Sequence, residues 1–139
     1  MWYNTFVHLG DGRCLLLSQL IWVGKYNKRF NGLLNINIAQ EDIYRSKGLI
    51  THLEKRNHSN SLKYIDYIEH IILHPDYVGV NPNEKTPSFE LVKRYDDNVL
   101  LGIKVDLSKN SLYVSTMFDI QESKIQRRLH SGRLVKFEE

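Results

Sequence analysis

Between Phe89 and Met117 the chain places three runs of strand-forming residues in succession, Phe89–Tyr95, Val99–Leu107 and Leu112–Met117. Short turns, Asp96-Asp97-Asn98 and Ser108–Asn110, separate them. A link that short returns a strand beside its predecessor in the opposite direction, because a parallel return needs a crossover of roughly a dozen residues. The segment is therefore expected to form an antiparallel meander, whose buried face the remaining elements must cover. Ile120–Leu129 goes back to helical spacing and Arg133–Phe137 reads as a closing strand, giving a sheet of about four strands.

The covering elements are sought upstream. Ser46 is placed to cap a helix from Lys47 to about Asn57, with Leu49, Ile50 and Leu53 on one side. A second helix is expected from about Ser61 to His74, burying Leu62, Ile65, Ile68, Ile71 and Ile72 and stopped by Pro75. Before these, Thr5–Leu9 and Asp42–Arg45 read as short extended pieces and Gly10-Asp11-Gly12 as a turn. Cys14–Val23 is nearly all apolar, a strand or a buried helix by periodicity, with helix the favoured reading. Leu33–Ile38 alternates Leu34, Ile36 and Ile38 with Asn35 and Asn37, as a half-buried strand does. Tyr77–Val80 is short and extended, and Asn81–Pro87 is a loop. The expectation is one α+β domain over residues 1–139, with N-terminal helices packed on the antiparallel meander. Residues 1–41 are an unassigned N-terminal extension integrated into it, and residues 42–137 are its core.

Composition excludes several classes of function. With 42% hydrophobic and 25% charged residues the chain can build a real core, which disfavours disorder. Its single cysteine, Cys14, supports neither an internal disulfide nor a thiolate metal cluster and reads as a buried inert thiol. No run approaches the ~18 apolar residues of a membrane helix, and the start Met-Trp-Tyr-Asn lacks a basic n-region, so a cytoplasmic location is expected. The Asn57-His58-Ser59 sequon is then idle. The net charge of +3 is uneven: residues 1–59 carry eight Lys/Arg against four Asp/Glu, and residues 60–139 carry eleven against twelve. A basic surface on the first half would suit nucleic acid, although a solvated face is the commoner meaning of such a bias.

No metal or phosphate-loop motif is present. His70 and His74 share a helix face but have no third ligand at a recognisable spacing, and a helix C-terminus is a favourable place for both. The chemically suggestive run is His52-x-x-Lys55-Arg56-x-His58. Cleaving RNA through its own 2′-hydroxyl requires a base for that hydroxyl, an acid for the leaving oxygen and a cation for the pentacoordinate phosphorane. Histidine titrates near neutrality, and Arg and Lys suit phosphate. The plainer reading is a solvated basic helix with a terminal histidine. A second cluster closes the sheet: Tyr113, Ser115 and Thr116, followed by Lys124, Arg127 and Arg128. Thr116 is able to donate to a phosphate oxygen or to fill a sheet face, and Lys124 and Arg128 share one helical stripe.

Ile43 to His58, with Ile72-Leu73-His74-Pro75-Asp76-Tyr77-Val78-Gly79, Phe89-Glu90-Leu91-Val92-Lys93 and Tyr113-Val114-Ser115-Thr116-Met117-Phe118 ahead of Lys124, resembles the phage-associated nuclease-like domains of the barnase, EndoU, colicin and RelE superfamily. The likeness covers roughly residues 42–137. It implies a barnase/RelE-like fold and a metal-independent endoribonuclease activity without cofactor, in a toxin-like or phage–host role. By position it implies His52, Arg56, His58 and Thr116 as catalytic, His52 moving a proton and His58 acting as second proton carrier or substrate contact. Lys55, Lys124 and Arg128 would bind RNA phosphates. Where relatives read His-x-x-Lys-Arg-His, Asn57 intervenes here, which would shift His58 on the helix. The expected partner is RNA, with an acidic inhibitor, a host translation component or a second copy as further candidates and no membrane. The alternative is a catalytically inactive relative that binds RNA or a host protein through the same basic face.

Overall fold

The computed structural model describes residues 6–8, 14–16, 20–106 and 110–138. The turn at Gly10-Asp11-Gly12, Ser108-Lys109 and the side-chain setting of Cys14 lie outside them. Strands β1 (Phe6–His8) and β2 (Cys14–Leu16) form an antiparallel pair. The main sheet contains β3 (Leu20–Lys25), β4 (Asp42–Ser46), β5 (Tyr77–Gly79), β6 (Ser88–Arg94), β7 (Asn98–Asp106), β8 (Ser111–Asp119) and β9 (Leu134–Lys136). Their order is β3-β4-β8-β7-β6-β5-β9. Helices α1 (Arg29–Leu34), α2 (Leu49–Lys55), α3 (Ile68–Leu73) and α4 (Glu122–Ser131) accompany it, with a 3-10 helix over Ser59–Tyr67.

The meander β6–β7–β8 is present, but it is the centre of a larger, mixed sheet and not a simple antiparallel sheet of about four strands. The β3–β4 hairpin joins it through β4, which runs parallel to β8 at Ile43↔Leu112 and Tyr44↔Tyr113. On the other side β5 and β9 extend it antiparallel. Four-strand counting fails because the free edges of β8 and β6 carry unmet backbone groups, and short extended pieces distant in sequence satisfy them.

Two other expectations are corrected. Cys14–Val23 yields β2 and the start of β3, not a helix. Leu33–Ile38 is not a strand: α1 ends at Leu34, and Asn35 takes a left-handed conformation at φ 54°. Side chains supply what a neighbouring strand would have supplied. Asn31 Oδ1 accepts from the Ile38 amide at 2.9 Å, and its Nδ2 donates to the Ile38 carbonyl at 3.0 Å. The Lys28 ammonium donates to the Ile38 and Ala39 carbonyls at 3.1 and 2.6 Å. With its polar backbone satisfied, Ile38 enters the core as a loop residue, 3% exposed.

The helix expected over residues 61–74 divides into a 3-10 part and α3. Ser61 and Tyr64, the buried residues of the first part, are three apart, the spacing that eclipses in a 3-10 helix; Ile68, Ile71 and Ile72 then follow α spacing. Ser46 ends β4 rather than capping a helix, and Gly48 precedes α2.

The sheet is covered on both faces. Phe89, Leu91, Val99, Leu101, Ile103, Leu112 and Val114 pack with Leu49, Leu53, Ile68, Ile71 and Phe30 on one side. Val92 and Leu100 meet Ile120, Ile125 and Leu134 beneath α4 on the other. That is why β6 and β7 read as nearly continuous apolar runs.

Candidate functional site

The parallel ladder between β4 and β8 spans only two residue pairs, after which β4 turns into α2. The outer edge of β8 from Val114 onward is therefore lined by α2 and the 3-10 helix instead of a strand. Ser61 secures this arrangement. It is fully buried, and its one hydroxyl proton is shared between the His58 carbonyl, at 2.7 Å, and the Met117 carbonyl, at 3.0 Å.

On its inner side β8 carries a bulge. The register steps between Gly102 and Ile103, so Ser115 is the extra residue beside the Gly102↔Thr116 pair. Ser115 Oγ donates to the Gly102 carbonyl at 3.2 Å. Any Cβ at position 102 would lie 2.9 Å from Thr116 Cγ2. A bulge of this kind turns side chains out of strict alternation. Ser115 and Thr116 are both half-buried between fully buried neighbours Val114 and Met117.

Two histidines lie along this edge. His52, half-buried on α2, shares a narrow cleft of about 10 Å³ with Ser46, Leu49, Tyr113 and Ser115. That is room for about one water. His58 sits further along, its ring 5.3 Å from that of Phe118. By the usual strand rise, Ser115 and Phe118 are about 10 Å apart. Thr116 lies between them on β8.

The intervening Asn57 has a direct structural role. α2 ends at Lys55, and Asn57 is left-handed at φ 58°. The His58 amide donates to the Leu53 carbonyl at 2.8 Å and the Asn57 amide to the Glu54 carbonyl at 3.2 Å. This pattern closes a helix with a left-handed residue, a position asparagine tolerates well. His58 is therefore not on the helix face at all: the cap delivers it to β8.

The cations are dispersed. Arg56 and Lys55 are exposed at the end of α2, and Lys124 is exposed on α4. Arg128 does not share an open stripe with Lys124. It folds onto the sheet, where Nη1 is 3.4 Å from Glu90, while Arg133 Nη2 lies 2.8 Å from the other oxygen of the same carboxylate. Glu90 stands opposite Gly102, which stands opposite Thr116, so this trio occupies the same row of the sheet as Thr116. Burial lowers the Arg128 pKa from its ordinary value, and the attraction of Glu90 opposes that shift. Neither Glu90 nor Arg133 was singled out from sequence. The available signal was a carboxylate inside the apolar run Phe89-Glu90-Leu91-Val92, which needs a cationic partner.

Among the described residues no three His, Cys, Asp or Glu side chains gather as metal ligands. None of the described helices is long and apolar enough to cross a membrane.

An α+β domain whose mixed sheet carries two imidazoles along the outer edge of β8, a threonine on that strand and two guanidinium groups on the carboxylate of the same row has the makings of a nuclease domain. The match to known families agrees: residues 21–127 match the family described as phage-Barnase-EndoU-ColicinE5/D-RelE like nuclease3, and the chain belongs to that family. The matched span takes in α1 and nearly all of β3, upstream of the likeness read from the motifs. No curated protein and no solved structure matches the chain.

Proposed function

We propose that the protein is a metal-independent endoribonuclease that cleaves RNA by attack of the 2′-hydroxyl on the adjacent phosphate. The observation that carries this reading is the placement of His52 and His58 along the β8 edge, on either side of the bulged Ser115-Thr116 pair. One imidazole takes the 2′-hydroxyl proton and the other protonates the leaving 5′-oxygen. Thr116 donates to a non-bridging phosphate oxygen. Arg56, Lys55 and Lys124 attract the flanking phosphates, and Arg128 with Arg133 leaves a net positive charge beside the site after Glu90 is neutralised. Histidine is suited to both proton transfers because its ordinary pKa is near 6.5.

The test is cleavage of total RNA in EDTA by the wild type, His52→Ala, His58→Ala and Thr116→Val, with the products assayed for 2′,3′-cyclic phosphate ends. Each histidine variant is expected to lose about 10²- to 10⁴-fold in rate, as removal of a general acid or base does. Cleavage that requires added metal, or that persists in both histidine variants, would overturn the mechanism. RNA binding without cleavage by the wild type would favour the non-catalytic reading of the same surface.

A further inference from the structure

A cleft of about 340 Å³ opens at the end of the sheet away from the His58 segment, between the α1–β4 connection and the loop from Val80 to Pro87. None of the residues assigned above lines it. Its size falls in the range of small-ligand pockets. Ile36, Ile38, Val80 and Pro87 supply apolar walls, and Asn81 and Thr86 supply hydrogen-bonding groups. Asn81 Oδ1 accepts from the Asn83 amide at 3.0 Å, which fixes the side chain and leaves its Nδ2 hydrogens for another partner. At the rim, Glu84 is held by Lys104 at 3.5 Å, while Lys85 makes no ion pair among the described residues.

Apolar walls with an amide and a hydroxyl between them suit a flat heteroaromatic ring carrying donors and acceptors, and a lysine at the rim suits an attached phosphate. We infer that this cleft binds one nucleotide of an RNA strand, its base between the Ile38 and Pro87 walls, read by Asn81, and its phosphate on Lys85. The position agrees with that role. Ser88 stands opposite Lys104, and Lys104 opposite Tyr113, a wall of the His52 cleft. Two strand spacings, about 10 Å, separate Ser88 from Tyr113 in that row. A strand of RNA crossing the row would place a neighbouring base in the cleft. The site thus deepens the ribonuclease reading by naming where sequence is read.

The test separates the two claims because it measures binding and not cleavage. Each of the four nucleoside monophosphates, and a short 2′-O-methyl RNA that cannot be cleaved by 2′-hydroxyl attack, is titrated into the full chain. Backbone and Asn side-chain amide signals are followed by NMR. At least one monophosphate is expected to saturate with shifts confined to residues 36–38 and 80–88, and the RNA to produce the same shifts at lower concentration. Asn81→Ala should weaken both about tenfold, in line with the loss of one base-edge contact, and Lys85→Ala should weaken the monophosphate but not its uncharged nucleoside, titrated in parallel. His58→Ala should leave the cleft's affinity for the monophosphate unchanged whatever its effect on cleavage. Shifts that fail to saturate, or that fall elsewhere on the sheet, would overturn the site. Monophosphate binding that the RNA does not reproduce would overturn the assignment to an RNA strand and mark a free-nucleotide site.

Discussion

Gly102 shows how much one missing methyl group sets at the candidate site. The bulge on β8 leaves Thr116 Cγ2 where a Cβ on residue 102 would come within 2.9 Å, and Ser115 Oγ at 3.4 Å. Gly102→Ala is therefore expected to destabilise the protein by about 1–3 kcal/mol, as overpacking of a tight site does. Thr116→Ser removes the obstructing methyl while keeping the hydroxyl, so the double variant should recover most of that loss. Urea denaturation of the four members of the cycle measures the coupling. Additive losses would show that the clash is relieved elsewhere. Asn57 is the second residue whose identity matters through backbone geometry, since it holds the left-handed cap that sends His58 to β8.

At the scale of elements, the 3-10 helix and α4 are held by different kinds of bond. Ser61 ties the 3-10 helix to the unpaired edge of β8. Ser61→Ala leaves the Met117 carbonyl without this partner and is expected to cost about 1–3 kcal/mol in chemical denaturation. It should also lower RNA cleavage, because His58 loses its anchor to the strand. α4 is fastened to the sheet by Arg94, whose guanidinium reaches both Glu122 oxygens, the second at 2.9 Å. Hydrogen bonding from Arg94, helped by Gln126, holds the Glu122 carboxyl down from its ordinary 4.5 to about 2. A carboxylate depressed in the folded state contributes stability that is present above the unfolded value and is lost as pH falls through the folded one. Stability should therefore decline between about pH 4.5 and pH 2, and Glu122→Gln should be less stable than the wild type at pH 7 and converge with it near pH 2, which flattens that acid limb. Glu122 is half-exposed, so solvent screening keeps the effect small. An acid limb of unchanged slope in Glu122→Gln would assign the loss to other carboxylates, such as Asp97, which Lys63 and Tyr64 also hold below its ordinary range.

Over the whole molecule, the joint between β4 and β8 unites the N-terminal hairpin with the meander through two residue pairs. Ile43 sits at that joint with no exposed surface. Ile43→Ala is expected to cost about 2–5 kcal/mol, the range for a large-to-small change in a packed core. Because the His52 cleft is bounded by both β4 and β8, cleavage should fall along with stability at intermediate denaturant. A single coincident transition by fluorescence and circular dichroism would show that the hairpin and meander unfold together, while two transitions would separate them.

The sequence by itself determined the elements whose cause is local. The turn at Asp96-Asp97 and the strand runs around it produced the β6–β7–β8 meander, and the spacing after Asp119 produced α4, because short turns and periodic apolar residues act over a few positions. The polar run from His52 to His58 was legible as a cluster for the same reason, as were the motifs that placed the chain near its family. What only the tertiary structure decided depends on partners distant in the chain. Asn31 and Lys28 satisfied the backbone of Ile38 and removed an alternating segment from the sheet. The parallel pairing of β4 with β8 turned a meander into a mixed sheet. Glu90 drew Arg128 away from the stripe it would share with Lys124. In each case a buried polar group needed a partner, and the chain supplied one from far along the sequence.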